Sequence, residues 1–237
     1  MALSQHIQAV QERIAAAARA AGRDPSEITL CAATKVQTDD TIRAAIAAGI
    51  QVCGENRVQE LTAHLEADAY AGAREVHFIG HLQTNKVKQV VGRVDLIQSV
   101  DSQRLLQAID AQADKLGLVQ DILIEVNVAG EESKGGCPLQ EVAALAQLAA
   151  SLDHVRLRGL MAIPPVSREP GANRPYFAAM RQLFIDIREK MSDNQNDINC
   201  LSMGMSGDFE DAIAEGATLV RVGTALFGPR PPMHTGA

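Results

Sequence analysis

The chain has 237 residues, 46% of them apolar and 22% charged, a globular balance that excludes disorder and collagen-like structure. A net charge of −7 argues against a nucleic-acid footprint, which needs a basic face, and with no Trp, two Tyr and five Phe a base-stacking surface would be poorly supplied. Cys31, Cys53, Cys137 and Cys200 form no C-x-x-C, and nothing approaches a signal peptide or the ~18 apolar residues of a membrane span, so a reduced, cytoplasmic chain with no membrane contact is expected.

Leu3, Ile7, Val10, Ile14 and Ala18 fall at steps of three and four, which predicts a helix ending at Gly22. After Asp24-Pro25, strands and helices alternate. Strands are expected over 29–34, 51–53, 76–79, 95–100, 121–128, 157–163, 201–203 and 219–222. Helices are expected over 38–48, 57–68 and about 84–91. Further helices carry Leu105, Ile109, Ala113 and Leu116, then Val142, Leu145, Ala149 and Leu152, then Phe177, Met180, Phe184, Ile187 and Met191, with a short one around 208–215. Eight such units in about 210 residues imply a parallel sheet, and favour an α/β (β/α)8 TIM barrel with an extra N-terminal helix. An open Rossmann-like sheet would want G-x-G-x-x-G after the first strand, where this chain has Thr34-Lys35-Val36. No linker divides residues 1–237, which read as one barrel domain with a loose tail from about 229.

Barrel active sites lie at the C-terminal ends of strands. Those ends carry Lys35, Gly54-Glu55-Asn56, Gly80-His81, Asp101, Asn127, Met161-Ala-Ile163, Ser202 to Ser206 and Arg221 to Thr224. A lysine at a strand end can form a Schiff base with a carbonyl compound, or simply snorkel to solvent. Ser202-Met-Gly-Met-Ser206 and Val222-Gly223-Thr224 are small-residue turns after strands seven and eight, where this architecture commonly binds phosphate. Arg221 sits in an apolar strand, so its guanidinium needs an acceptor, either a carboxylate such as Glu55 or Asp208 or a ring nitrogen of a ligand. Asn56 is either a donor to a ligand hydroxyl or a turn residue. Lys134, in a Gly-rich loop on the same rim, is either a second anion contact or a solvated lysine. His77 and His81 are four apart, but no third ligand at suitable spacing supports a metal site. Cys31, Cys53 and Cys200 read as small core residues.

Ala33-Thr-Lys35-Val, Gly54-Glu-Asn-Arg-Val-Gln-Glu60, His77-Phe-Ile-Gly-His-Leu-Gln-Thr-Asn-Lys86, Arg158-Gly-Leu-Met-Ala-Ile163, Ser202-Met-Gly-Met-Ser206 and Val220-Arg-Val-Gly-Thr-Ala-Leu-Phe-Gly228 together resemble the pyridoxal 5′-phosphate homeostasis proteins. That family resembles the barrel domain of alanine racemase, the fold-type III class. The resemblance implies that Lys35 holds pyridoxal 5′-phosphate as an internal aldimine. It further implies that Ser202, Gly204, Met205 and Ser206, with Gly223 and Thr224, hold the phosphate. Arg221 would face the pyridine nitrogen and Asn56 would lie near the ring, with Lys134 and Met161 as secondary positions. The family loop varies just beyond the strand-seven motif, where this chain has Gly207, so the role of Asp208 is open.

By the same resemblance, a racemase of this fold needs a second acid/base, a tyrosine from an additional β-domain of a partner subunit. This sequence stops just after strand eight, so that domain is not expected. Tyr70 and Tyr176 are expected in helical segments, away from strand ends. Arg221 also disfavours a protonated pyridine nitrogen, leaving a weaker electron sink. The expectation is therefore a monomeric, cytoplasmic, metal-free carrier that buffers or delivers the cofactor, touching apoenzymes transiently and with no catalytic residue of its own. The alternatives are a racemase-type pyridoxal phosphate enzyme and a cofactor-free Schiff-base aldolase.

Overall fold

The computed structural model describes residues 2–131, 135–167, 169–191 and 198–229. Eight strands form the barrel: β1 (Thr29–Ala33), β2 (Val52–Glu55), β3 (Glu75–Phe78), β4 (Leu96–Val100), β5 (Gln120–Asn127), β7 (Val155–Ala162), β8 (Cys200–Ser202) and β9 (Leu219–Val222). Neighbours run in the order β4-β3-β2-β1-β9-β8-β7-β5, and β5 pairs back onto β4 to close the ring. Every pairing is parallel, so all eight C-terminal ends open on one rim. This is the (β/α)8 barrel that the alternation implied. The additional β6 (Cys137–Pro138) lies beside Val126 and Asn127 outside the ring. Two residues are too few for alternation to show, so the sequence carries no sign of it.

The helices are α1 (Leu3–Ala20), α2 (Asp39–Ala47), α3 (Val58–Glu66), α4 (Gln103–Leu116), α5 (Val142–Ala150), α6 (Arg174–Lys190), α7 (Phe209–Ala214) and α8 (Thr224–Phe227). Their starts follow ordinary capping chemistry. Thr38 accepts from the Thr41 N–H ahead of α2, and Ser102 from the Leu105 N–H ahead of α4. The extra α1 buries Ile7, Val10, Ile14 and Ala18 and packs on α7 and α8. The helix expected over 84–91 forms instead as a 3-10 helix, Thr84–Gln89. Only Val87 is buried within it, so the six residues have no apolar stripe to hold a longer α-helix and wind as a short 3-10 run. The four residues before Gly228 form α8, which the sequence did not announce. No described helix is long and apolar enough to cross a membrane. The tail from 230 onward lies outside the described residues.

Most of the apolar core sits between the sheet and the helices. Inside the barrel the apolar side chains fall into two small clusters. Cys31, Ala33, Val52, Ile79 and Leu219 form one, and Leu96, Leu123 and Met161 the other. Cys31 and Cys53 are fully buried and Cys200 is partly so, as small core residues would be. Polar side chains share the barrel interior with these clusters: His77, Gln98, Ser202 and Arg221 are all buried.

Candidate functional site

A cavity of about 230 Å³ opens at the C-terminal mouth. Lys35, Asn56 and Arg221 line it, with Met205, Ser206 and Gly207 from the turn after β8 and Gly223 and Thr224 from the turn after β9. Ile79, Ile163 and Phe227 add apolar wall; Ile163 belongs to the Met161–Ile163 rim run, whereas local sequence did not mark Ile79 or Phe227, because apolar residues look like core.

Lys35 stands two residues beyond β1, in a turn closed by the Gln37 N–H to the Thr34 carbonyl at 3.0 Å. Val36 carries φ +58°, a left-handed conformation that costs a β-branched residue about 1–3 kcal/mol. Its N–H donates to Glu60 Oε2 at 2.9 Å, so the carboxylate of the first turn of α3 holds the strained residue in place. Glu60 belongs to the Gly54–Glu60 run, but nothing local in the sequence ties it to residue 36.

Glu55 ties the Lys35 turn to the Asn56 loop. Its carboxyl is fully buried and accepts from the Asn56 N–H at 2.6 Å, the Arg57 N–H at 3.3 Å and the Thr34 hydroxyl at 3.2 Å. Burial pushes its pKa up, against the lowering effect of the Asn56 N–H bond. His64, bonded through Nδ1 to Asp39 at 2.6 Å, brings Nε2 to 3.9 Å from Glu55. Tyr70 belongs to this cluster too. It lies in the turn after α3 rather than in a helix, and its buried hydroxyl faces Glu55 and Thr34 without a well-formed hydrogen bond to either. It stands behind the strand ends and is not on the cavity wall, and neither is Tyr176.

Arg221 finds neither Glu55 nor Asp208 as a hydrogen-bond partner. It donates NH1 to Ser202 Oγ at 2.5 Å and NH2 to the Ala162 carbonyl at 2.8 Å. Neutral acceptors on β8, next to β9, and on β7, one strand further, reach the guanidinium inside the barrel. Its pKa is lowered by burial, which the more distant charges of Glu125 and Asp208 oppose. Asp208 braces the turn instead, accepting from the Met205 N–H and from the Asn173 amide, both at 2.7 Å. Ser206 Oγ accepts from the Gly223 and Ala225 N–H groups, each at 3.2 Å, and so joins the two turns. Gly204, at φ +92°, sits where a Cβ would come within 2.6 Å of the Ala212 Cβ. Among the described residues Ser202, Gly204 and Met161 are not on the cavity wall. Ser202 is committed to Arg221 and Gln98, and Met161 packs with Leu96 and Leu123. Lys134 lies outside the described residues. His77 is buried in the barrel and His81 is exposed on the rim, so the two do not converge.

Gly80 fixes how closely β3 approaches the Asn56 loop. A Cβ there would lie 2.0 Å from the Asn56 carbonyl oxygen and 2.7 Å from its Cα, both backbone atoms. Gly80→Ala is therefore expected to destabilise the protein by about 3 kcal/mol, the upper end of overpacking costs. For a chain of this size that lowers Tm by roughly 6–12 °C. Thermal unfolding checks it, and an unchanged Tm would mean the two strand ends separate freely.

Two cationic side chains, two hydroxyl residues and two turns rich in small residues thus line one small cavity. Asn56 Oδ1 is buried with no hydrogen-bond partner, and a ligand hydroxyl would supply the missing donor. A primary amine suits an aldehyde or ketone, and the two turns suit a dianion. The residues present therefore fit a phosphorylated, hydroxylated aromatic aldehyde.

This fold and mouth define a chain of the alanine racemase N-terminal domain class, which its sequence matches over residues 5–231. Within that class, it belongs to the pyridoxal phosphate homeostasis protein family. It is 45% identical to the pyridoxal phosphate homeostasis protein of Aquifex aeolicus (strain VF5), over 95% of this chain and 97% of that one. It is 40% identical to that of Pseudomonas aeruginosa, over 96% of each. The solved structure of PipY of Synechococcus elongatus PCC7942 with PLP bound superposes with a TM-score of 0.83 at 32% identity, covering 96% of this chain and 100% of that one.

Proposed function

We propose that this chain binds pyridoxal 5′-phosphate in the mouth cavity with Lys35 as its attachment point, and that it buffers or delivers the cofactor as a monomeric cytoplasmic carrier without turnover. The observation that carries this reading is the convergence of Lys35, Arg221, the partnerless Asn56 Oδ1 and the two turns on one cavity. When bound, the cofactor supplies an aldehyde carbon that condenses reversibly with a primary amine. Lys35 provides that amine, aimed by the strained Val36 turn. Met205 to Gly207 with Gly223 and Thr224 take the phosphate, and Ser206 donates its hydroxyl proton. Ser202 is not part of this cup and instead anchors Arg221. Arg221, a fixed cation, faces the ring nitrogen and disfavours a second positive charge there. The names of the relatives and the bound PLP of PipY support the same reading.

The two phosphate-sized turns favour this reading over a cofactor-free aldolase. The placement of both tyrosines off the cavity wall favours it over a racemase, which would need a second acid/base beside the amine. The test is paired. Loaded protein is mixed with an unrelated pyridoxal phosphate apoenzyme, with a small-pore membrane between the two as the control for release into solution. Separately, α-hydrogen exchange on alanine, serine and glutamate is followed in deuterated water. Restored apoenzyme activity with exchange no faster than free cofactor is expected. Sustained exchange that vanishes in Lys35→Ala would replace the carrier with an enzyme, and failure of transfer would leave storage alone.

A further inference from the structure

Polar side chains cross the inside of the barrel in a single hydrogen-bonded file. At the end away from the mouth, Glu75 Oε2 lies 2.9 Å from His77 Nε2. His77 Nδ1 lies 2.9 Å from Gln98 Nε2. The Ser202 hydroxyl donates to Gln98 Oε1 at 2.7 Å, and Arg221 donates NH1 to Ser202 Oγ at 2.5 Å. These residues come from β3, β4, β8 and β9, and the four after Glu75 are each 4% exposed or less. Glu75 and His77 open on a cavity of about 300 Å³ at the N-terminal end of the barrel, lined also by Asp95 and Arg158. Arg221 opens on the mouth. The file joins the two ends of the molecule.

Donor and acceptor counting leaves the file one direction. A carboxylate only accepts, so His77 presents Nε2–H to Glu75, and the neutral imidazole then keeps Nδ1 bare. Bare Nδ1 accepts an N–H, so Gln98 turns its amide nitrogen to His77 and its oxygen to Ser202. That oxygen takes the single hydroxyl proton of Ser202. Only lone pairs of Ser202 then remain for Arg221, whose guanidinium only donates. The His77 bond, ahead of the other causes, holds the Glu75 carboxyl below its usual range, in keeping with an ionised group at the origin of the file. Reversing any one link would leave two donors or two acceptors face to face in a buried place, which is costly.

We infer that Glu75, His77 and Gln98 are positioning residues for Arg221: through Ser202 they set the pose of the guanidinium at the mouth from the opposite end of the barrel. The guanidinium's other anchor, the Ala162 carbonyl, fixes only one of its nitrogens. The effect of this pose on cofactor affinity rests on the proposed function; the file itself does not.

The test reads ligand-free protein. Long-range 1H–15N correlation spectra report the His77 tautomer, and arginine side-chain spectra report rotation of the Arg221 guanidinium. The wild type is expected to show the Nε2–H form and slow rotation. Glu75→Gln, at a half-exposed position where folding is not at risk, gives His77 a partner that can donate as well as accept. It should populate the Nδ1–H form and speed Arg221 rotation about fivefold, the scale of one neutral hydrogen bond. Gln98→Leu should speed it likewise, while His77 loses its Nδ1 partner and keeps Glu75 on Nε2. A residue of purely structural importance would lower Tm and leave both signals alone. An Nδ1–H or doubly protonated His77 in the wild type, or unchanged Arg221 rotation in Glu75→Gln, would overturn the inference. With pyridoxal phosphate added, Glu75→Gln should bind about fivefold more weakly while still attaching at Lys35. Absence of any binding by the wild type would remove the proposed function and leave the spectra to decide the file.

Discussion

Lys35→Ala is expected to abolish the visible absorbance that pyridoxal phosphate acquires on attachment, at any cofactor concentration. The reason is chemical, since alanine offers no amine at the one place where the Val36 turn delivers a side chain to the cavity beside Arg221. The fold should survive. The turn is held by backbone and by Glu60, neither of which needs the lysine side chain, so ligand-free stability should change by no more than about 1 kcal/mol. Phosphate-dependent, non-covalent binding should persist in the variant, because the two turns are untouched. Titration by absorbance and by calorimetry separates these two outcomes. Undiminished absorbance would place the aldehyde on another lysine, with Lys134 the first to examine.

Pyridoxal without its phosphate should bind at least ~100-fold more weakly than the phosphorylated form, since two or three charge-assisted hydrogen bonds of roughly 1.5–3 kcal/mol each are lost. The cup built by Met205 to Gly207 and Gly223 to Thr224 is preorganised. Asp208 locks the first turn through the Met205 N–H, and Ser206 ties it to the second. A phosphate oxygen is a stronger acceptor than the Ser206 hydroxyl, so it competes well for the N–H groups that Ser206 now receives. Equal affinity for the two forms, measured by competition, would remove the phosphate cup from the account.

The barrel was legible because its signal is long-range repetition. Eight apolar runs separated by helical stripes leave few topologies, and errors of one or two residues at strand ends do not alter them. The departures came where the signal is short or tertiary. β6 exists only through its pairing with β5, and the 3-10 turn over Thr84–Gln89 buries Val87 alone, in a segment too short to show a helical period. At the mouth, the rim order brought Lys35, Asn56, Arg221 and both turns into view, because strand ends of a parallel barrel share one face. Partner choice was not visible. Arg221 was expected to need an acceptor, a carboxylate or a ligand ring nitrogen, yet inside the barrel a serine hydroxyl and a backbone carbonyl reach it first. Val36 at positive φ has no local cause, since its stabiliser is Glu60, 24 residues away. One usable signal was passed over. Gln98 sits within the apolar run Leu96-Ile-Gln-Ser-Val100, and a fully buried amide in a central strand must have partners on other strands.

The most direct test of the central claim is borohydride reduction of the pyridoxal phosphate-loaded wild type, followed by mapping of the labelled peptide. Reduction fixes the cofactor to whichever amine holds it. The account predicts loss of the visible absorbance and a label on the peptide containing Lys35. A label confined to other lysines, or no label with the cofactor still bound, would contradict it.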